Sequence, residues 1–182
     1  MMRILALNAV GGYRSNLIAG EEPELCVRLR TNGGKIVRLA AEMTRHDAAM
    51  SRFGQWWRRN VRAGHAFAEV SHLHARSPFG IWKKEARSNW IWGFLVPVMA
   101  IVGAPFTLGL SLLLLLAYAA LYWKIARGRR RRGDDPKTAR LFARYCVFSK
   151  FPQAIGQMRF WRNRLFGGSN RLIEYKGPGT TG

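Results

Sequence analysis

The chain is short of cysteine and of acidic residues, and each shortage excludes something. Its 182 residues hold only two cysteines, Cys26 and Cys146, in unrelated contexts. That excludes a disulfide-dense secreted scaffold, and the lack of a Cys-x-x-Cys pair excludes a cysteine-rich zinc module. Asp and Glu total 10 against 30 Lys and Arg, a formal net charge of +20. A disordered basic tail would be poor in Leu, Ile, Val and Phe, whereas 48% of this chain is apolar. No secretory leader is legible, because the apolar run after Arg3 is interrupted by Asn8 and ended by Gly11-Gly12. Length alone suggests one domain, or one small domain with an appendage.

Charge is most conspicuously missing in the middle. All 36 positions from 88 to 123 lack Asp, Glu, Lys and Arg, which a mean hydropathy of −0.13 conceals. As one helix this block would run about 54 Å, against a hydrocarbon core about 30 Å thick. Gly103-Ala104-Pro105 lies near its centre, so two helices are expected, over 90–102 and 105–123. The first is short and contains Pro97, which also suits a re-entrant segment. Lys83, Lys84 and Arg87 precede the block; Lys124, Arg127 and Arg129-Arg130-Arg131-Arg132 follow it. Basic flanks on both sides point to two crossings of the cytoplasmic membrane with both termini cytoplasmic. Trp90, Trp92, Tyr122 and Trp123 mark the ends, where amphipathic rings settle at headgroups. A buried hairpin inside a soluble protein is the competing reading, but so short a chain has little else to cover one.

The arginines invite a nucleic-acid partner, yet no zinc-finger, helix-turn-helix or RNP-type pattern accompanies them. They cluster beside the apolar block, so membrane lipids are the expected partner and nucleic acid is not. Two stretches read as helices lying on that surface. Over 48–74, Phe53, Trp57, Val61, Gly64 and Ala68 recur at helical spacing, with Arg58, Arg59 and Arg62 largely on other faces. The second starts after Asp134, with Asp135 as cap and Pro136 in the first helical position. It runs to Lys150, bends or breaks at Pro152, and stops at Gly167-Gly168. Its later part groups Met158, Trp161 and Leu165 among Arg159, Arg162 and Arg164. Both stretches read equally as core-packing helices with solvated charges. His72-Leu73-His74 is at most a weak metal hint.

The first fifty residues carry the chemistry. Residues 6–10 are apolar apart from Asn8, Gly11-Gly12-Tyr13 turns, and Gly20 precedes a helix whose first turn holds Glu21, Glu22 and Glu24. Carboxylates suit the positive end of a helix dipole. Leu25 and Leu29 share a core-facing side, Asn32-Gly33-Gly34 stops the helix, and 35–41 reads as a strand. A β-α-β unit is therefore expected at the start of a mainly α, membrane-associated chain. By itself, the acidic cluster reads as a well-charged helix start.

The run Gly11-Gly12-Tyr13, a spacer, then Gly20-Glu21-Glu22-Pro23-Glu24-Leu25 and a Gly-containing turn resembles the second half of the catalytic domain in family 2 glycosyltransferases. The resemblance implies a GT-A remnant and transfer of a sugar from a nucleotide-sugar to an acceptor hydroxyl that is lipid-linked or membrane-proximal. It implies Glu22 as catalytic base with Glu21 beside it, and Glu24 on the substrate side. A base must hold its carboxylate within hydrogen-bond reach of the acceptor. The family often places a metal-supporting His after the next strand, which makes His46 the candidate ligand for a divalent Mg or Mn; a lone His beside Asp47 is also an ordinary hydrogen bonder. Gln55-Trp56-Trp57-Arg58-Arg59 is similar to the family's Gln-x-x-Arg-Trp element, with Arg59 in place of the final Trp, so Gln55, Trp56, Trp57 and Arg58 are expected at the acceptor.

The family's nucleotide-binding half and its Asp-x-Asp element have no counterpart here, since the only aspartates are Asp47, Asp134 and Asp135. Nucleotide-sugar is thus expected to bind only when that half is supplied, as upstream sequence or by a partner protein. The expected divisions are 1–50 for the catalytic remnant, 51–89 for an interfacial helix, 90–123 for the hairpin, 124–176 for basic cytoplasmic helices and 177–182 for a frayed tail. The competing function is a non-catalytic membrane-anchoring or interaction subunit that binds anionic lipid or a protein.

Overall fold

In the computed structural model, residues 2–37 and 50–167 are described. Every regular element among them is helical. Helix α1 spans Ile4–Ala9, α2 Glu21–Thr31, α3 Phe53–Leu73 and α4 Lys83–Trp90. A π-helical turn, Ile91–Leu95, joins α4 to α5, Val96–Gly103. A 3-10 segment, Leu110–Leu116, leads into α6, Ala117–Arg130, and α7 spans Pro136–Phe166.

The expected β-α-β unit is not found among the described residues. Residues 6–10 belong largely to α1, whose Ile4 and Leu5 stay exposed. Leu and Ala favour helix, and a strand without a neighbour leaves its backbone groups unbonded. Lys35–Val37 is irregular and exposed, and the rest of the expected strand lies outside the described residues. The expected helix boundaries fare better. Gly20, at φ 88°, caps α2, and Asn32 ends it. Asp135 accepts hydrogen bonds from the Lys137 and Thr138 amides at 2.9 and 3.1 Å, and hydrogen bonding from the Thr138 side chain, together with these amides, holds its carboxyl below the usual range. Gly167, at φ 69°, closes α7, which continues through Pro152 without a break.

The two-crossing hairpin is also corrected. Among the described residues only Leu110–Arg130 is long and apolar enough to cross a membrane. The other arm, from α4 through α5, has its apolar part confined to Ile91–Gly103, about 20 Å of helix. That falls short of the hydrocarbon core. The start of this arm is held by protein: Asn89 is fully buried and accepts from Lys150 of α7 at 2.9 Å. Burial pulls the Lys150 ammonium below the ordinary lysine pKa. With one qualifying helix, the even-crossing argument for cytoplasmic termini no longer applies. The π turn falls where Pro97 denies the helix an amide, a common place for such a bulge. The arms meet where the Ser111 hydroxyl donates to the Ala100 carbonyl at 2.8 Å, and Leu108 and Gly109 turn with positive φ.

The body of the molecule is α3 packed on α7. A Cβ on Gly64 would strike the Gln153 backbone, and one on Gly156 would strike the Val61 carbonyl. The two backbones therefore cross in near contact, as only glycine permits. Val61, Ala66, Ala68, Val70, Ala154 and Phe160 are buried, so most of α3 and the later half of α7 are core helices rather than surface ones.

Candidate functional site

The three first-turn carboxylates of α2 have different fates. Glu24 is completely buried. Arg28, one turn on, brackets both its oxygens at 2.9 Å; Arg14 meets it at 2.9 Å and His74 at 3.0 Å. Arg28 also donates to the Val10 and Gly12 carbonyls. Glu24 thus ties the loop after α1, helix α2 and the end of α3 into one knot. Burial works to raise its pKa, but hydrogen bonds from Arg28 and His74 and the charges of Arg28 and Arg14 outweigh it and hold the carboxyl below its usual value. With those partners its oxygens are committed to protein groups. Glu21 is half-buried, whereas Glu22 is exposed and makes no hydrogen bond or ion pair among the described residues.

Glu22 precedes Cys26 by four residues, so the two share a face of α2. Cys26, but not Glu22, lines an open groove of about 560 Å³. Pro23, Cys26, Val27 and Arg30 of α2 form one wall; Phe79, Ile81 and Trp82 of the loop before α4 form the other, with Ile36 and Glu85 at the edges. The Arg30 guanidinium lies 4.6 Å from the centre of the Phe79 ring. Trp82 has φ 62°, a conformation in which a bulky residue is strained unless its surroundings hold it. Two contacts do: Phe67 meets it edge-on at 4.9 Å, and a Cβ on Gly20 would come within 2.9 Å of the ring. Gly20 is thus required twice, for its left-handed backbone and for the space its missing side chain yields to Trp82.

The Gln55–Arg58 element stands elsewhere. Gly20 backs onto Val70, and Trp57 is 13 residues earlier on the same helix, about 20 Å away. Gln55 accepts from the Arg52 amide at 3.2 Å, which makes it a helix-capping residue. Trp56 packs between Phe53 at 5.3 Å and Tyr145 at 5.4 Å, Trp57 is half-buried near Phe53, and Arg58 is exposed. His46 lies outside the described residues. Among those described, no three His, Cys, Asp or Glu side chains gather to hold a metal. A hard divalent cation wants several oxygens; among the described residues Glu24 has given its own to cations and Glu22 stands alone.

Sequence reasoning missed Arg30, Phe79 and Trp82. The available signal was Ser77-Pro78-Phe79-Gly80-Ile81-Trp82, two aromatic residues in a Pro- and Gly-bearing loop, where binding residues concentrate. No protein-family model, no curated protein and no solved structure matches the chain.

Proposed function

We propose that this chain is the membrane-attached part of a sugar transferase, with Glu22 as the base that deprotonates an acceptor hydroxyl. One observation carries the reading: an exposed, uncommitted carboxylate at the positive end of α2, one turn before Cys26 in the wall of the Phe79–Trp82 groove. Sugars stack on such rings through their apolar faces, and Arg30 offers a hydrogen-bonding cation within the same groove. In the step, the acceptor oxygen bonds to the anomeric carbon as its proton passes to Glu22. The bond to the nucleoside diphosphate breaks, and that group leaves with the electron pair. Donor binding belongs to the nucleotide-binding half that the family resemblance implies, and Leu110–Arg130 fixes the groove near a membrane.

The test is sugar transfer by the chain supplied with that half. Glu22→Gln is expected to lower turnover by about a hundredfold or more, with Glu22→Asp intermediate and the fold unchanged. Equal turnover by wild type and Glu22→Gln removes the base and the reading with it.

A second reading is a non-catalytic anchor or interaction subunit. Two observations favour it: Phe106, Leu108, Leu110 and Leu116 of the hairpin are among the most exposed apolar residues, and the Gln55–Arg58 element lies far from Glu22. A Glu22→Gln protein that transfers sugar normally, or a chain that transfers none even when complemented, selects this reading.

A further inference from the structure

The first half of α7 presents a largely exposed apolar stripe, with Tyr145 edge-on to Trp56 of α3 at 5.4 Å. Leu141 is 55% exposed, Tyr145 46% and Phe148 56%. They lie at i, i+4 and i+7, a single stripe of the helix. Beside the stripe run Lys137, Arg140 and Arg144, which with Thr138 and Leu141 line a shallow cavity of about 480 Å³. Among the described residues no carboxylate pairs with these three cations. Asp134 is bound to Arg129 at 2.5 Å, and Asp135 caps the helix. The inner face of the same stretch packs on α6 through buried Ala139 and Ala143.

The level of this stripe follows from the pairing of the two helices. Arg129 lies over Phe142 at 4.4 Å, and Tyr118 stacks on Phe151 at 5.8 Å, so α7 runs antiparallel beside α6. Phe148 and Tyr145 therefore stand beside residues 121–126, where the apolar run ends in Tyr122, Trp123 and Lys124. Amphipathic rings settle at the headgroup level, and cations just outside it meet lipid phosphates.

We infer that Leu141, Tyr145 and Phe148 seat α7 in the headgroup layer of the membrane that Leu110–Arg130 enters, with Lys137, Arg140 and Arg144 binding the phosphates of anionic phospholipids. The occupant is chosen by charge and by continuity: the cations lack protein carboxylates, and the stripe continues the Tyr122–Trp123 level of the apolar helix. The inference rests on membrane attachment by that helix and not on Glu22, so the outcome of Glu22→Gln leaves it untouched.

The experiment uses the full chain, one copy per lipid nanodisc, with a nitroxide at Phe148→Cys in a Cys26→Ser, Cys146→Ser background. Collision of the nitroxide with a neutral, water-soluble nickel chelate is compared with collision with oxygen, which partitions into lipid. Replacing phosphatidylcholine with phosphatidylglycerol should lower the nickel collision rate several-fold and raise that of oxygen. A label at Leu165→Cys, at the far end of α7, should not change. Lys137→Gln, Arg140→Gln and Arg144→Gln together should restore the phosphatidylcholine values. Arg144→Gln alone should restore them in part, which covers a triple variant that does not fold. Equal nickel access in both lipids overturns the inference. Shielding that needs two chains per disc gives the face to a second copy and overturns it, and so does shielding produced in phosphatidylcholine by inorganic phosphate. A label at Leu113→Cys that the nickel chelate reaches freely shows that the helix is not inserted, and overturns it too.

Discussion

The body built from α2, α3 and α7 and the hairpin over 91–123 follow opposite rules. In the body, large apolar side chains are inside: Leu25, Val27, Val70 and Phe160 are buried, and Gly64 and Gly156 let the helices cross closely. Its buried charge is matched group by group around Glu24. In the hairpin, the large residues are outside. Phe106 is 84% exposed and Leu108 fully so, while the buried residue of α5 is Ala100. Water selects the first arrangement, since apolar burial drives it. The second suits hydrocarbon, where close packing of small residues holds helices together and large ones meet lipid. The two regions of one chain thus differ in where their large apolar side chains lie.

The comparison breaks most severely at Glu24. Glu24→Ala leaves Arg14, Arg28 and His74 facing a buried void, at a cost of about 3–5 kcal/mol; the readout is the thermal midpoint in mild detergent. The same group sets an acid limit. Its pKa is lowered on folding, so its contribution is complete above the ordinary value of 4.5 and is lost as pH falls through the lower folded-state value. The thermal midpoint should therefore drop in acid, and Glu24→Gln should flatten that dependence. Gly156→Leu comes next. It drives a side chain into the Val61 carbonyl and should cost about 3 kcal/mol or prevent packing of α3 on α7, visible as lost near-ultraviolet circular dichroism. The smallest effect is expected at Leu113→Ala, which in detergent should change stability by less than about 0.5 kcal/mol. A large loss there would mean that the hairpin is covered by protein and that both regions obey one rule.

Local punctuation was readable from the sequence, and non-local meetings were not. Gly20, Asp135, Pro136 and Gly167 announce helix ends because capping depends on one or two neighbours. The bond between Glu24 and Arg28 is likewise an i, i+4 pair. Arg14 reaches Glu24 from the loop before α2 and His74 from the end of α3, meetings that no periodicity reveals. The partners that occupy both Glu24 oxygens are therefore invisible in the sequence. At Gln55 the local pattern of a cap coincides with that of the family element. The apolar block was evident, but its division into a long arm and a short one depended on where α7 grips Asn89.

Trp82 touches Gly20 and also caps α4, which continues through the π turn to Gly103 as one rod. The rod has one end against the start of the Glu22 helix and the other among the hairpin's apolar side chains. It acts as a gauge: its length sets the distance between the start of α2 and the tip of the hairpin. Inserting one helical turn between Trp82 and Gly103 would lengthen it by about 5 Å.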